Sequence, residues 1–257
     1  MSVPTDSIVE WLRQRLARAG ARGFVVGLSG GLDSAVVARL CQAAAPGHVT
    51  GVLMPCHGDP QDEADARLAA DHFEIPLVRV DLAPAFDVLT EDLIQAAASV
   101  PVEQLAGAGP SDDVKARVPM ANVKARLRMT TLYFLANSLS YLVAGTGNRS
   151  ELSIGYFTKY GDGGADLLPL GDLLKGEVRA AARRLGVPEP LIDKTPSAGL
   201  WPGQTDEADM GFTYAELESY LTRGPETVAP ALVMRIERLV RQSEHKRALA
   251  PSPDTPL

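Results

Sequence analysis

The residues best suited to chemistry begin at residue 27, in the run Gly27-Leu28-Ser29-Gly30-Gly31-Leu32-Asp33-Ser34. Glycines let a backbone turn tightly and bring its N–H groups close to a phosphate, and a following helix start favours an anion. The run lacks the lysine of a Walker A loop, and its glycines do not follow the GxGxxG spacing of dinucleotide-binding folds. We therefore predict a phosphate-binding loop, with a glycine turn capped by Asp33 or Ser34 as the structural alternative.

Further polar blocks lie between residues 122 and 207. Asn122 and Arg126 are four residues apart on a predicted helix and share one face of it. The segment GTGNRSE, residues 145–151, follows a predicted strand, and open α/β sheets bind ligands at such positions. The segment GYFTKYGDGGAD, residues 155–166, combines glycines and carboxylates with Lys159 and three aromatic residues. The structural alternative to a functional site is a solvated helix face and a glycine-rich loop.

The elements that must position these residues alternate between strand and helix. Short apolar runs predict strands over 24–28, 48–54, 77–82 and 140–144. Helical patterns cover 5–19, where Asp6 is the expected cap, and then 35–45, 62–73 and 86–100. This alternation predicts an α/β fold, a doubly wound parallel sheet with helices on both faces. A length of 257 residues fits one domain spanning 1–257.

The second half of the chain contains a predicted loop, a long helix and a glycine-rich segment. We expect a loop over 106–118 and a helix over 120–139, whose second half, TLYFLANSL, is apolar on nearly all sides. Such a helix is buried either in a core or in a subunit interface. A helix over 175–186 is followed by a segment, 193–211, that the Gly, Pro and Thr content predicts to be a mobile loop. Two terminal helices are expected near 213–222 and 225–247.

Composition and charge exclude several classes of function. A net charge of −7 argues against nucleic-acid binding, which needs a basic face. The N-terminus lacks the basic flank and apolar run of a signal peptide, and no apolar stretch approaches the roughly 20 residues of a membrane span. Cys41 and Cys56 have no CxxC, zinc or disulfide spacing, and Cys56 beside His57 is an unusual setting for a catalytic pair. We predict a cytoplasmic protein that contacts neither membrane nor nucleic acid.

A family resemblance narrows the chemistry. SGGxDS after a first strand resembles the pyrophosphate-binding loop of N-type ATP pyrophosphatases, which cleave ATP between the α- and β-phosphates and adenylate an oxygen of their substrate. The blocks NxKARxRM, GTGNxSE, GYxTKYGDGGAD, PLGDLxKxEVR and KxPSAxLWxGQTDE resemble, in order, those of the bacterial NAD synthetase family. The resemblance implies ammonia-dependent amidation of deamido-NAD, in which ATP forms an NAD-adenylate and the products are NAD, AMP and pyrophosphate.

The resemblance also implies roles for individual residues. ATP contacts are expected at Gly27, Leu28, Ser29, Gly30, Gly31, Leu32, Asp33, Ser34, Thr146, Lys175 and Ser197. Mg²⁺ ligands are expected at Asp33 and Glu151, since Mg²⁺ prefers one or two carboxylates together with phosphates. Deamido-NAD contacts are expected at Arg126, Lys159, Asp166, His245 and Lys246. Lys175 would neutralise developing charge, and Asp166 would orient or deprotonate the ammonia-derived nitrogen.

The apolar half of the 120–139 helix indicates a homodimer, and the resemblance further implies that its dinucleotide sites lie at the interface. The Gly, Pro and Thr content of residues 193–211, with Ser197 as a matched ATP contact, predicts a lid that orders over bound substrates. We expect ammonium and not glutamine as the nitrogen donor, because the chain has no room for a glutaminase domain.

Two alternatives stay open. One is a sister ligase of the same superfamily, such as a GMP-forming or a tRNA-thiolating enzyme. A thiolating enzyme would need catalytic cysteines, often in a CxxC, and a basic RNA-binding face, and the sequence indicates neither. A non-catalytic ATP-binding module would be expected to lose the metal carboxylates, but Asp33 and Glu151 are present.

Overall fold

The computed structural model describes residues 3–100, 114–201 and 203–252. Within these ranges, the strands are β1 (Phe24–Gly27), β2 (Val49–Leu53), β3 (Leu77–Arg79) and β4 (Leu142–Val143). The first helices are α1 (Thr5–Ala19), α2 (Leu32–Ala44), α3 (Pro60–His72), α4 (Ala83–Ala97) and α5 (Val114–Leu139). The later helices are α6 (Arg149–Ile154), α7 (Lys175–Leu185), α8 (Glu189–Ile192), α9 (Asp206–Met210), α10 (Tyr214–Arg223) and α11 (Pro230–Gln242).

The strands form one parallel sheet in the order β3-β2-β1-β4. Phe24 of β1 is in register with Val49 of β2 on one side and with Leu142 of β4 on the other. The chain first moves outward through β2 and β3 and then returns to the opposite side of β1. This reversal opens a crevice at the carboxyl ends of β1 and β4, where open α/β sheets bind their ligands.

The side chains of β1 point alternately into two apolar cores. Phe24 and Val26 pack into a core that α1, α2, α3 and α7 cover, whereas Val25 packs into a second core beneath α4 and α5. All three residues are fully buried. The alternation is the period of two expected of a strand that is buried on both faces. Helices therefore cover both faces of the sheet, and the predicted α/β fold class is confirmed.

A third apolar cluster supports the elements after β4. Ile154 of α6, Met210 of α9, Leu217 of α10 and Ile236 of α11 are buried together. Gly155 ends α6 with a φ of +70°, and a Cβ at this position would lie 2.0 Å from the Cβ of Ser243. The end of α6 is therefore packed directly against the chain that follows α11.

Several predicted boundaries are wrong. Helix α5 begins at Val114, so residues 114–118 are helical and not part of a loop, while 106–113 lie outside the described residues. Lysine, alanine and arginine in this stretch favour a helix, and the glycines that suggested a loop lie before it. Asp6 does not cap α1, whose N-cap is Pro4. The Asp6 carboxylate instead lies 2.7 Å from the guanidinium of Arg184 in α7.

The C-terminal half also contains elements that the sequence did not predict. Helices α6 and α8 are too short for a clear apolar period, and α9 lies inside the segment expected to be a loop. The last predicted helix is divided into a 3-10 turn at Pro225–Thr227, helix α11 and a second 3-10 turn at Glu244–Lys246. Pro230 cannot donate a backbone hydrogen bond, so a helix starts at this residue and does not run through it.

The apolar second half of α5 divides its residues between core and surface. Ala136 is buried in the core beneath α4 and α5, whereas Phe134 is 70% exposed. The second half of α5 therefore has one buried side and one exposed side. In the part of the chain that the structure describes, no helix, α5 included, combines the length and apolar character needed to cross a bilayer. The expected cytoplasmic location stays a prediction.

Candidate active site

The predicted phosphate loop connects β1 to α2. The Ser34 hydroxyl donates to the carbonyl of Gly31 at 2.8 Å, and the Ser29 Oγ accepts the backbone N–H of Gly31 at 3.2 Å. Gly31 is the N-cap of α2, and among the described residues no side chain caps this helix. Neither Asp33 nor Ser34 therefore caps α2, although the Ser34 hydroxyl does bridge the turn, since it also accepts the Ser29 N–H at 3.3 Å. Uncapped N–H groups at a helix start favour an anion.

Gly30 lies at a point of the loop where both the backbone conformation and a close neighbour exclude a side chain. Its φ is +76°, and an added Cβ would lie 2.3 Å from the backbone carbonyl oxygen of Asp62 in α3. The Lys194 ammonium donates to the Gly30 carbonyl at 3.1 Å and to Asp62 at 2.8 Å, and also pairs with Asp65. Sequence reasoning did not select Lys194 as a site residue, although it is the first residue of the block KxPSAxLWxGQTDE.

Two carboxylates lie on either side of a buried ammonium in the crevice between β1 and β4. The Lys175 Nζ lies 2.6 Å from Oδ2 of Asp33 and 3.7 Å from Oε1 of Glu151. Asn148 connects the two strand ends, since its amide donates to Asp33 at 3.1 Å and its side chain also caps α6. The same capping box bonds Oε2 of Glu151 to the Asn148 N–H at 3.1 Å. The structure thus brings both predicted metal ligands together with the predicted catalytic lysine.

The charges in this cluster do not balance. Burial, followed by the charge of Asp33, raises the pKa of Glu151 above its usual range. Burial opposes the charged form of Lys175, but Asp33 and Glu151 together raise the pKa of this lysine above its ordinary value. A third carboxylate, Asp206, is 4% exposed, and burial raises its pKa too. One ammonium among three carboxylates leaves an excess of negative charge that favours a bound cation.

Asp33 and Glu151 could hold that cation. Oδ1 of Asp33 is buried without a hydrogen-bond partner among the described residues. Carboxylate oxygens are the ligands that Mg²⁺ prefers, usually one or two from the protein together with phosphate and water oxygens. In the described ranges, no group of three or more His, Cys, Asp or Glu residues is arranged to hold a metal ion. The residues present therefore fit a Mg²⁺ that takes its remaining ligands from a nucleotide.

A cavity of about 750 Å³ opens beside this cluster. The predicted ATP-contacting residues that line it are Gly27, Leu28, Ser29, Gly31, Leu32, Asp33, Ser34, Thr146, Lys175 and Ser197. Glu151 and Lys246 line it as well. Its described lining does not include four of the predicted dinucleotide contacts, namely Arg126, Lys159, Asp166 and His245.

Three of these four residues meet outside the cavity. The Arg126 guanidinium donates to the Lys159 carbonyl at 3.4 Å, and the Lys159 ammonium donates to the carbonyls of His245 and Ala248. The Lys246 ammonium donates to the carbonyls of Gly155 and Phe157, at 2.8 and 2.7 Å. In this structure the His245 carbonyl and the Lys246 ammonium thus hold the chain after α11 against residues 155–159. Their predicted contact with a dinucleotide stays a prediction.

Asp166 is separate from both groups. Its Oδ1 accepts the Tyr133 hydroxyl at 3.1 Å, and its Oδ2 accepts the backbone N–H of Val143 at 2.8 Å. Tyr133 belongs to the second half of α5, near the exposed Phe134. Both oxygens of Asp166 thus already accept hydrogen bonds within the protein. The role predicted for Asp166, orienting or deprotonating the ammonia-derived nitrogen, stays a prediction.

Comparison with known proteins places this geometry in a family. The sequence profile of the family described as NAD synthase matches residues 5–250. The chain belongs to the NAD synthase family. The NH(3)-dependent NAD(+) synthetase of Carboxydothermus hydrogenoformans is 49% identical over 253 residues, which cover 98% of this chain and 96% of that protein. These matches do not favour the sister ligase or the non-catalytic ATP-binding module.

Solved structures of the family share the fold. The NMN synthetase from Francisella tularensis matches with a TM-score of 0.85 and 36% identity, covering 98% of this chain and 97% of that one. The NAD+ synthetase from Burkholderia pseudomallei matches with a TM-score of 0.72 and 33% identity, covering 96% of this chain and 89% of that one. The fold of this chain is therefore that of the NAD synthase family.

The described residues of the segment 193–211 of this NAD synthase family member form part of the cavity lining, Ser197 and Leu200 among them. Besides the contacts of Lys194, the Lys124 ammonium of α5 donates to the Leu200 carbonyl at 2.9 Å. Gln204 accepts the Leu200 N–H at 2.8 Å, and α9 begins two residues later. The prediction of a loop is thus wrong over α9. The predicted ordering of the segment over bound substrates stays a prediction.

Cys56 and His57 do not form a catalytic pair in this site. The Cys56 thiol is fully buried, and burial raises its pKa. A buried thiol with a raised pKa is a poor nucleophile, because the thiolate is the reactive form. The His57 imidazole instead lies 2.6 Å from the carboxylate of Asp87.

We expect Gly30→Ala to reduce kcat/KM for ATP by about 100-fold, because the new Cβ must displace either α3 or the loop, and small misplacements near a reacting group have effects of this size. Gly47→Ala is the matched control: Gly47 has a φ of +75° but nothing within 4 Å of an added Cβ. The Gly47→Ala variant should lose about 1 kcal/mol of its free energy of unfolding, and its kcat/KM should stay unchanged. Steady-state kinetics and urea unfolding measure both effects, and native-like use of ATP by Gly30→Ala would contradict the packing argument.

Proposed function

We propose that this chain catalyses the ATP-dependent amidation of deamido-NAD with ammonia, giving NAD, AMP and pyrophosphate through an NAD-adenylate. The observation that carries the proposal is the buried Asp33–Lys175–Glu151 cluster beside an uncapped helix start, in one cavity. This arrangement suits a nucleotide whose phosphates gain negative charge during reaction. Relatives named NH(3)-dependent NAD(+) synthetases match nearly the full chain, which supports ammonia as the nitrogen donor.

The first step joins the substrate carboxylate to the α-phosphorus of ATP. A carboxylate oxygen attacks this phosphorus, a new O–P bond forms, and the bond to the β-phosphate oxygen breaks as pyrophosphate leaves. The carboxylate is already nucleophilic, so the protein needs to position the reactants and neutralise charge more than to supply a base. The Lys175 ammonium, together with the backbone N–H groups at the uncapped start of α2, would provide that neutralisation.

The second step replaces the adenylate with nitrogen. Ammonia attacks the activated carbonyl carbon, the carbon–oxygen bond to AMP breaks, and the nitrogen loses a proton to leave the amide of NAD. Water must be kept from the adenylate, since hydrolysis would waste the ATP. Ser197 and Leu200 line the cavity from the segment above it, which supports a role for that segment as the lid.

We place Mg²⁺ at Asp33 and Glu151, because the unpartnered Oδ1 of Asp33 and the excess negative charge of the cluster call for a cation. When bound, Mg²⁺ would offset the negative charge of the ATP phosphates during pyrophosphate release. Lys175 would contribute a second positive charge beside the same two carboxyl groups. Asn148 bonds to both carboxylates and so keeps Asp33 and Glu151 in the same crevice.

A second candidate substrate is the mononucleotide of nicotinic acid. The Francisella tularensis structure, at a TM-score of 0.85, is described as an NMN synthetase, whose product would require that substrate. Both substrates present the same carboxylate to the α-phosphorus and differ only in the adenylyl portion beyond the phosphate. Turnover of the two compounds side by side separates these possibilities.

We further propose that the protein is a homodimer and that α5 supplies part of the interface. The exposed Phe134 on an otherwise apolar half-helix supports a partner surface. Arg126 and Lys159 contact each other outside the described cavity lining, which supports the proposal that they serve a site completed by a second subunit. A twofold axis would bring two copies of this helix face together.

The assay that tests the proposed reaction combines purified protein with ATP, Mg²⁺, ammonium and deamido-NAD. We expect AMP and pyrophosphate in step with NAD, by phosphorus NMR, and no comparable turnover when glutamine replaces ammonium. Nicotinic acid mononucleotide in place of deamido-NAD is the matched substrate control. Release of ADP and phosphate in step with NAD would contradict the proposed chemistry. Exclusive use of the mononucleotide would establish the second candidate.

Mixed dimers test whether the site is shared between subunits. Asp33→Ala disables the ATP side, and Arg126→Ala disables the proposed dinucleotide side. If Arg126 serves the neighbouring subunit, unfolding the two variants and refolding them together creates heterodimers with one intact site each. We expect activity well above that of either variant refolded alone. Activity no higher than in the parents, or a monomer by light scattering at assay concentration, would end the shared-site proposal.

A further inference from the structure

A buried tyrosine contacts both members of the Lys175–Glu151 pair. The ring of Tyr214 lies under the Lys175 ammonium, with the Nζ 5.2 Å from the ring centroid. Its hydroxyl lies 3.4 Å from Oε1 of Glu151, the same oxygen that faces Lys175. The other oxygen of Glu151 is already fixed by the N–H of Asn148. Tyr214 is 3% exposed, so this contact lies inside the protein.

The Tyr214 hydroxyl has little freedom to turn away. Its single proton is shared between two carboxylates: it is donated to Oδ2 of Asp206 at 2.8 Å and, over a longer distance, to Oε1 of Glu151, and Asp206 is itself 4% exposed. The Tyr214 backbone N–H donates to Glu207 at 3.0 Å, and Thr213 caps the helix that begins at Tyr214. Tyr214 is therefore held both at its backbone N–H and at its hydroxyl, which fixes the position of the hydroxyl beside Glu151.

Asp206 is in turn held by the segment over the cavity. Its Oδ1 lies 3.3 Å from the Tyr156 hydroxyl, which also lies 2.9 Å from Asp209. The Gln204 amide donates to Asp209 at 2.8 Å, and Gln204 accepts the N–H of Leu200. A buried set of hydrogen bonds thus runs from the segment above the cavity, through α9, to Tyr214. Fully satisfied polar networks of this kind hold a side chain in one place.

We propose that Tyr214 is a positioning residue that aims Oε1 of Glu151 at the bound metal ion, with Asp206 fixing the direction of the Tyr214 hydroxyl. The inference rests on the proposed function, because it takes Glu151 as a metal ligand. Partners of a metal ligand orient it, and their loss weakens metal binding by about tenfold or more. Tyr214 touches no substrate in this account and acts only through Glu151 and Lys175.

The test measures metal binding directly. Mn²⁺ serves as the probe, its free concentration is read by electron paramagnetic resonance, and α,β-methylene-ATP supplies phosphates that cannot be cleaved at the reacting bond. Tyr214→Phe keeps the ring under Lys175 and removes only the hydroxyl. We expect its Kd for Mn²⁺ to rise about tenfold. Tyr220→Phe, on the same helix but outside the network, is the matched control and should bind as the native protein does.

Comparing the Asp206→Asn/Tyr214→Phe double variant with Asp206→Asn separates loss of the positioning role from a general loss of stability. Tyr214→Phe alone leaves the buried Asp206 short of one donor, whereas the double variant removes the hydroxyl and the charge together, which is better tolerated. We expect removal of the hydroxyl to weaken Mn²⁺ binding in this background by a similar factor. Native-like binding in Tyr214→Phe, or no difference between the double variant and Asp206→Asn, would overturn the proposal.

Glu151→Ala distinguishes failure of this inference from failure of the proposed metal site. If Glu151→Ala loses Mn²⁺ while Tyr214→Phe binds it normally, the metal site stands and the positioning role is wrong. If Glu151→Ala binds Mn²⁺ as the native protein does, the metal assignment itself is wrong, and the positioning role is overturned with it. Parallel loss in Glu151→Ala and Tyr214→Phe, with Tyr220→Phe unchanged, supports both.

Discussion

The buried ammonium of Lys175 is the interaction on which the rest of the site depends. It lies between Asp33, which follows β1, and Glu151, which follows β4, and it begins α7. Removing one partner from a buried ionic cluster leaves uncompensated charge, which is far more costly than losing an exposed pair. The three segments must therefore stay together, and they can do so only because β4 is paired in parallel beside β1.

This constraint explains the surrounding structure. Asn148 bonds to both carboxylates, so the end of β4 cannot shift relative to the end of β1. On the other side of the cavity, Lys194 holds the phosphate loop and α3 to the segment above them. Two sets of polar contacts, one around Lys175 and one around Lys194, thus hold the residues that line the cavity. The cores on the two faces of the sheet provide the rigid support that such contacts need.

The sequence predicted the fold class because strand and helix periods alternate clearly up to β4. It also predicted the phosphate loop, whose glycines and position after a strand are local features. The contacts of Lys194 and Tyr214 could not be predicted in this way, since Lys194 and Gly30 are 164 residues apart. Asp33 and Glu151 were selected by family resemblance, and only the structure shows Lys175 between them. Short helices such as α6 and α9 lack a period long enough to detect.

The central claim is that this cluster activates a carboxylate by joining it to the α-phosphorus of ATP. Deamido-NAD labelled with ¹⁸O in both carboxylate oxygens tests it most directly. The account predicts that every AMP formed with NAD carries one ¹⁸O from the substrate, visible as an isotope shift in its phosphorus NMR signal, while pyrophosphate stays unlabelled. Unlabelled AMP, or ¹⁸O in inorganic phosphate or pyrophosphate, would contradict it.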